Sequence, residues 1–237
     1  MTASEQLSLL ERCAYSIRRK FNIGADERFN FSSFREVLPQ ITLVKCPFTK
    51  DVDGLTFKLN TDKSIIAINS CKTVGDYNFA LAHELYHHFY SESGAMISKA
   101  TDFNIKSSRD EEFKANCFAM FLLLPLPAVD KFIFENCEGV VDKKTIIKLC
   151  DYFKTSILSV LNRLFLSYYI TEEEYLEFRA ESYENLIDRN NPYSAFSICD
   201  GKYVVEGYYK EEAQRLHNLG KITDSKLNEI LAVARGD

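Results

Sequence analysis

The sequence predicts an α+β fold in which a small β-sheet packs against a core of helices. Three short apolar runs lie between residues 41 and 68, and most longer segments after residue 75 have apolar residues spaced three to four apart. Strands followed by a run of helices, rather than alternating with them, are typical of this class. With 237 residues, 46% of them hydrophobic, the chain can bury one sizeable core.

The first helix is predicted at residues 4–21, because apolar side chains recur there at helical spacing and Gly24 follows the end. Three strands follow, at residues 41–44, 55–59 and 65–68. The third strand is apolar on both faces, which is typical of a strand in the interior of a sheet.

Helices dominate the next part of the chain. We predict them at residues 76–90, 109–124, 143–153, 156–169 and 171–187. The second of these ends before Pro125, because a proline ring lacks an N–H and clashes with the preceding turn. The third and fourth are joined by a tight turn and form a helical hairpin. Residues 95–108 are polar and mixed, which indicates a loop between the first two helices.

The dipeptide Asn191-Pro192 predicts a boundary between a main domain, residues 1–189, and a small C-terminal α/β appendage, residues 190–237. In the appendage, a turn signal after residue 199 separates two short apolar runs, which favours a β-hairpin. Two short helices separated by a glycine complete the segment.

Composition narrows the class of function. The net charge of −5 argues against a chain that mainly coats nucleic acid. The seven cysteines are scattered and form no Cys-x-x-Cys pair, which indicates reduced thiols in a cytoplasmic protein. The N-terminus has charged residues where a secretory signal would have its apolar core. The most apolar stretch, residues 118–129, contains two prolines and is too short to span a bilayer, so no membrane partner is expected.

The segment with the most chemical information is His83-Glu84-Leu85-Tyr86-His87. Two histidines four residues apart lie on one face of a helix, where they can hold a single divalent metal from the same side. The glutamate between them points away from that face and can reach a water at the metal without being a ligand. This pattern is typical of zinc peptidases, with His83 and His87 as metal ligands and Glu84 as the catalytic residue.

A catalytic zinc site needs a third protein ligand. The extended metzincin pattern is absent, because Tyr90 and Ser93 occupy the positions of its glycine and third histidine. The next helix offers Glu111 and Glu112 instead. Glu112 is favoured, because its helical stripe contains small residues that allow a close approach to the histidine-bearing helix. The same stripe contains Asn116, which is placed one turn on to hydrogen-bond a ligand.

Residues 79–88, 112–119 and 122–125 together resemble the ImmA/IrrE family of metallopeptidases. The resemblance covers about residues 35–170 and implies a zincin-like helical core, a Zn²⁺ cofactor, and Glu112 as the third ligand within a Glu-x-x-Ala-Asn-x-Phe-Ala run. Members of this family are typically small intracellular peptidases of bacteria and their phages or mobile elements. They typically cleave a helix-turn-helix repressor of the Xre type, so the resemblance implies a role in gene regulation.

The chain departs from the family pattern in two places. Tyr86 stands where the family often has glycine, and it adds bulk beside the site. The segment after residue 190 matches nothing in the family. A second donor to the developing oxyanion is expected, and Tyr86, His88 and Tyr90 are candidates because they lie near the motif. Tyr86 and His88 are also candidates for contacts with the metal ligands.

Two other functions stay open at this point. In the first, the protein keeps the metal-binding fold but sequesters its partner instead of cleaving it. Loss of the biological effect in Glu84→Gln would support catalysis, and a retained effect would favour sequestration. A DNA-binding regulator would use the helical hairpin at residues 143–169. The hairpin has enough apolar residues to bury most of both helices, so direct nucleic-acid binding is not expected.

Overall fold

The computed structural model describes residues 2–31, 40–60, 62–92, 94–98, 110–137, 139, 141–181, 183 and 192–235. Within these residues the predicted α+β class is confirmed, with nine α-helices and one mixed β-sheet of five strands. The helices are α1 (Ala3–Lys20), α2 (Val74–Tyr90), α3 (Glu111–Leu123), α4 (Leu126–Asn136), α5 (Lys143–Phe153), α6 (Ile157–Leu166), α7 (Glu172–Ala180), α8 (Tyr208–Asn218) and α9 (Asp224–Val233). The strands are β1 (Ile41–Cys46), β2 (Gly54–Lys58), β3 (Ser64–Asn69), β4 (Gly94–Ser98) and β5 (Val204–Gly207).

The sheet has the strand order β4-β2-β3-β1-β5. β1 and β3 run parallel, and every other pair of neighbours is antiparallel. β3 is almost completely buried, as the sequence predicts for an interior strand. Ser64 of β3 contacts α2 directly, and Ile66 and Ile68 share its face because side chains alternate along a strand. The centre of the sheet therefore supports α2.

Residues 94–98 form a strand, so the predicted loop of residues 95–108 is wrong at residues 95–98. β4 pairs antiparallel with β2, with Gly54 opposite Ser98 and Lys58 opposite Gly94. This pairing satisfies backbone N–H and C=O groups along an otherwise open strand edge, an effect that polar composition does not reveal. The remainder of the predicted loop, residues 99–108, lies outside the described residues.

The C-terminal segment does not form the predicted hairpin in its described part. Ile198 makes an isolated bridge with Thr73, and β5 pairs antiparallel with β1 instead of with the run before Gly201. The open edge of β1 offers a longer ladder of hydrogen bonds than a partner of about three residues. β5 therefore extends the main sheet. The predicted domain boundary at residues 189–190 lies outside the described residues and stays a prediction.

α4 is a helix that the sequence analysis did not predict. α3 ends at Leu123, before Pro125, as expected, but a second proline, Pro127, then lies in the first turn of α4. A proline in the first helical turn leaves no hydrogen bond unmade, because the N–H groups there have no partner within the helix. The same residue type therefore ends one helix and begins the next.

In the described part of the chain, no single helix is both long enough and apolar enough to cross a bilayer. α3 and α4 meet that criterion only as a pair, and the pair is bent by 48°.

α5 and α6 form the predicted helical hairpin. Asp142 and Ser156 cap the two N-termini by accepting hydrogen bonds from the backbone N–H groups of Thr145 and Ser159. Lys154 ends α5 in the left-handed conformation, with φ of 52°. α6 also packs against α3, so the hairpin supports the helix that contains the two candidate carboxylates.

Arg18 of α1 is a buried charge that ties α1 to α3. Its guanidinium donates to the carbonyls of Leu122 and Gly24 at 2.6 and 2.7 Å, and also to the carbonyl of Glu27. Burial lowers the pKa of Arg18 to about 10, so the side chain is still protonated at neutral pH. The bond to Leu122 satisfies one of the last carbonyls of α3, which have no partner within the helix.

Candidate metal centre

The His-Glu-x-x-His segment lies in α2, which begins after the capping residue Thr73 and ends at Tyr90. His83 and His87 are one turn apart, and their Nε2 atoms lie 3.1 Å from each other. Neither histidine is more than 1% exposed. The two imidazoles are therefore buried with their Nε2 nitrogens facing the same point.

Glu112 of α3 reaches the same point. Asp110 caps α3 by accepting a hydrogen bond from the backbone N–H of Phe113, which places Glu112 in the first helical turn. Its Oε2 lies 3.2 Å from Nε2 of His83, and its Oε1 lies 3.4 Å from Nε2 of His87. The Glu112 side chain is 42% exposed, so the cluster is open to solvent on this side. Within the described ranges, these three residues form the one cluster with metal-ligand spacing.

The spacing of the donor atoms suits a tetrahedral metal ion. Zn²⁺ binds imidazole nitrogen and carboxylate oxygen at about 2.0–2.2 Å, which puts two ligand atoms of a tetrahedral site about 3.3–3.6 Å apart. The observed separations of 3.1, 3.2 and 3.4 Å lie close to this range. Two imidazoles and one carboxylate also leave a fourth position open, as in catalytic zinc sites. The residues present therefore fit a divalent metal.

The charges around the three side chains favour a cation between them. Burial opposes protonation of His83, but its hydrogen bond to Glu112 and the charge of Glu84 outweigh burial and raise the pKa of His83. Burial also opposes the charge of Glu112, yet hydrogen bonds from His83 and His87 lower the pKa of Glu112 to about 2. The negative charges that favour a proton on His83 would likewise favour a divalent metal ion at this point.

One stripe of α3 accounts for the approach of the two helices. Ala115 and Ala119, on the stripe of Glu112, are completely buried and leave room for α2. Asn116 lies between them, and its Oδ1 is 2.8 Å from Nδ1 of His83. Because an amide oxygen can only accept a hydrogen bond, Nδ1 of His83 carries a proton and Nε2 is left for the metal.

His87 has a different partner, which the sequence analysis missed. Its Nδ1 lies 2.9 Å from Oγ of Ser91, the residue that caps the C-terminal end of α2. The Ser91 hydroxyl in turn donates to Oε1 of Glu111 at 2.9 Å. A signal for this contact exists in the sequence, because Ser91 follows His87 by about one helical turn. Glu111, considered from the sequence only as a metal ligand, contacts Ser91 instead.

Glu84 is completely buried, and β2 shapes its surroundings. The Thr56 hydroxyl donates to Oε2 of Glu84 at 2.6 Å. A Cβ atom at Gly54 would lie 2.6 Å from Oε1 of Glu84, so the absence of a side chain makes room for the carboxylate. No sequence signal identifies Thr56 or Gly54, because both lie about thirty residues before Glu84 and meet it only after the sheet has formed.

The hydroxyl groups of the two candidate tyrosines have partners outside the donor cluster. Tyr86 packs edge-on against His87. Burial first, and then the charge of Glu111 and a hydrogen bond to it, raise the pKa of Tyr86. Tyr90 donates to the backbone carbonyl of Cys13 in α1 at 3.3 Å, so its hydroxyl is directed to another helix.

His88, a candidate from the sequence for contacts with the metal ligands, contacts the sheet. It is rotated by about 100° from His87 around α2 and faces the sheet, where its Nδ1 lies 2.8 Å from Oγ of Ser64. Burial, followed by the charges of Lys58 and Lys20, lowers the pKa of His88 to about 4. The residue is therefore a neutral anchor between α2 and β3, and its contact is with the sheet instead of the metal ligands.

The sequence profile of the IrrE N-terminal-like domain, Peptidase_M78, matches residues 39–165. This range runs from just before β1 almost to the end of α6, so it contains the whole donor cluster and Glu84. No curated protein matches the chain. Peptidases of this family are metal-dependent, which agrees with the cluster of two histidines and a glutamate. Because the match covers more than half of the chain and confirms the motif resemblance, the protein belongs to the ImmA/IrrE (Peptidase_M78) family of metallopeptidases.

Proposed function

We propose that the protein is a zinc-dependent endopeptidase that cleaves a regulatory protein, a helix-turn-helix repressor of the Xre type. The observation that carries the proposal is the convergence of His83, His87 and Glu112 on one point, with the buried Glu84 between the two histidines in the same helix. Two nitrogens and one carboxylate suit Zn²⁺ better than Mg²⁺ or Ca²⁺, which prefer oxygen ligands. Membership of a metallopeptidase family supports peptide-bond hydrolysis as the reaction.

When bound, the metal supplies a Lewis acid that acidifies water and polarises the scissile carbonyl. The protein supplies the proton transfers. Glu84 accepts the proton of the attacking water and delivers it to the nitrogen of the leaving amine. The Thr56 hydroxyl orients this carboxylate by holding its Oε2, while Asn116 and Ser91 keep the two histidines in the tautomer whose Nε2 binds metal.

The choice of a protein substrate is supported by the family and by the way the cluster is exposed. The two histidines are buried, whereas the Glu112 side chain is 42% exposed, so a peptide would approach from the α3 side. The Xre-type repressor is the substrate class that the motif resemblance implies. Neither Tyr86 nor Tyr90 is given an oxyanion role in this proposal, because each has a partner away from the cluster.

We place the reaction in the cytoplasm and assign it no nucleic-acid ligand. All seven cysteines are free, which suits a reducing compartment. The helical hairpin of α5 and α6 would be the part to contact DNA, but three of its basic side chains have acidic partners. These pairs are Lys143 with Glu181, Lys154 with Asp151, and Arg163 with Glu11.

The test incubates the purified protein, reconstituted with Zn²⁺, with the Xre-type repressor encoded beside it. Fragments of the repressor, located by mass spectrometry, are expected with metal and are expected to vanish with a chelator. The Glu84→Gln variant should bind Zn²⁺ and release no fragments.

Two results would overturn the proposal. Equal fragmentation with and without chelator would remove the metal from the reaction. An intact repressor that is nevertheless released from its operator, by wild type and Glu84→Gln alike, would mean that the protein sequesters its partner.

A further inference from the structure

Behind His87 lies a chain of hydrogen bonds that ends on a carboxylate. Nδ1 of His87 is 2.9 Å from Oγ of Ser91, and Oγ of Ser91 is 2.9 Å from Oε1 of Glu111. We propose that this Ser91–Glu111 relay positions His87 for metal binding and sets the affinity of the site for Zn²⁺. The proposal rests on the proposed function, since it presupposes that the cluster binds the metal.

The direction of the hydrogen bonds follows from the hydroxyl group. A serine hydroxyl has one hydrogen to donate and otherwise only accepts. Because that hydrogen goes to the Glu111 carboxylate, Ser91 can only accept from His87, so Nδ1 of His87 must carry the proton. The lone pair of the imidazole is then on Nε2, the atom that faces His83 and Glu112.

The relay is itself held in place by lysines from two elements. Lys114 of α3 donates to Oε2 of Glu111 at 2.9 Å, and Lys58 of β2 donates to the backbone carbonyl of Ser91 at 2.7 Å. The relay therefore ends on a carboxylate that a lysine holds in place, and this carboxylate fixes the direction of the Ser91 hydroxyl.

The two histidines differ in this respect. His83 donates to the neutral amide oxygen of Asn116, whereas His87 is connected to a negative charge through one hydroxyl. Charge-assisted hydrogen bonds are roughly twice as strong as neutral ones. We therefore expect the relay to contribute more to the orientation of its histidine than Asn116 does.

The test measures the dissociation constant for Zn²⁺ by competition with a chromophoric chelator, which needs no substrate. Ser91→Ala is expected to weaken Zn²⁺ binding by about 10–100-fold, the range for the loss of an outer partner of a ligating histidine. Ser91→Thr keeps the hydroxyl and should restore binding to within about threefold of wild type. Glu111→Gln removes the charge and should weaken binding by about tenfold.

The matched control is Ser167→Ala. Ser167 also caps the C-terminal end of a helix, α6, through its backbone N–H, and it lies outside the metal centre. In both alanine variants the backbone cap is retained, since the Ser91 N–H bonds to the carbonyl of His87. Ser167→Ala should therefore bind Zn²⁺ as wild type does, and thermal unfolding of the metal-free proteins should show whether a variant has lost its fold.

The outcomes separate this inference from the proposed function. Wild-type protein that binds no Zn²⁺ overturns both. If Ser91→Ala binds Zn²⁺ as tightly as the wild type does, the relay alone is overturned and the assignment of the metal centre is unaffected. If metal-free Ser91→Ala is unfolded, Glu111→Gln decides: weaker Zn²⁺ binding with an unchanged melting temperature supports the relay, and unchanged binding overturns it.

Discussion

The metal centre and the surface of α9, in the C-terminal segment after residue 192, hold their polar side chains in different ways. At the metal centre, buried groups bond across elements, as Thr56 of β2 does with Glu84 of α2. In α9, the exposed ion pair of Lys226 and Glu229 joins two residues three apart on one helix. A bond between elements depends on the whole fold, whereas a bond within one helix reports only local stability. Substitutions in the two regions should therefore differ in kind as well as in size.

β5 connects the two regions. It belongs to the C-terminal segment by sequence but pairs with β1 in the main sheet. We therefore expect substitutions to form a graded series. Only those at the metal centre should change metal binding and catalysis. Effects on stability should reach β5 and then fade towards the surface of α9.

The largest effect is expected when a ligand is removed. His83→Ala should weaken Zn²⁺ binding by at least about 100-fold, since loss of a ligand exceeds loss of an outer partner. The matched variant is His217→Ala in α8, whose Nε2 lies 2.6 Å from the exposed Asp224 and which should bind Zn²⁺ as wild type does. Zinc content after dialysis against a weak chelator measures both. Equal zinc content in the two variants would contradict the assignment of the centre.

Gly54→Ala should separate catalysis from metal binding. Its Cβ would lie 2.6 Å from Oε1, 2.9 Å from Cγ and 3.0 Å from Cδ of Glu84, so the whole side chain must move and not only its end. A displacement of about 1 Å at a catalytic group can cost about 100-fold in rate. We expect cleavage to fall about 10–100-fold with an unchanged dissociation constant for Zn²⁺. A fully active Gly54→Ala variant would show that Glu84 is free to shift.

Binding of Zn²⁺ should also stabilise the fold, because the cluster joins α2 to α3. Free Zn²⁺ at 100 times its dissociation constant is expected to raise the free energy of unfolding by about 2.7 kcal/mol. Thermal unfolding with and without Zn²⁺ measures this increase. Glu84→Gln should show the full increase and His83→Ala should show almost none. An increase of equal size in His83→Ala would mean that Zn²⁺ binds at another place.

Val205 tests whether the C-terminal segment belongs to the main sheet. It lies in β5, is 5% exposed and stands opposite Val44 of β1. Val205→Ala should lower the free energy of unfolding by about 1–3 kcal/mol through lost burial and the remaining cavity. Unfolding should stay a single transition with unchanged Zn²⁺ binding. A separate early transition would instead favour an independent appendage after residue 190.

The contrast between contacts within one helix and contacts between elements also explains which contacts could be predicted from the sequence. Contacts within one helix follow from its period, which is why His83 and His87 could be paired and Glu112 distinguished from Glu111 by its stripe. Contacts between elements have no such rule. β5 was predicted to pair within its own segment, because a turn signal shows that a strand follows but not which edge it joins.

Ser91 is a clearer example of a contact whose role could not be predicted from the sequence. It lies one turn after His87, so its nearness to that histidine was available from the sequence. Its value as a partner, however, depends on Glu111, twenty residues further along the chain, which meets it only when α2 and α3 pack. The alternative role of Glu111 as a ligand was equally compatible with composition, and it was the helical stripe and the family resemblance that argued for Glu112.

The smallest effect is expected at Lys226, and the reason lies in its geometry. Lys226 and Glu229 are 52% and 64% exposed, so water and salt screen their attraction, and both long side chains lose rotamer freedom when they pair. Alanine at this position keeps the backbone N–H that bonds to the capping hydroxyl of Thr223, so the start of α9 is preserved. Lys226→Ala should change the free energy of unfolding by no more than about 0.5 kcal/mol. As a control, the measurement is repeated in about 0.5 M salt, roughly ten times the ionic strength of a low-salt buffer, and should give the same result. A change above about 1 kcal/mol would exceed what such a pair contributes and would show that the surface of α9 depends on tertiary contacts, as the metal centre does.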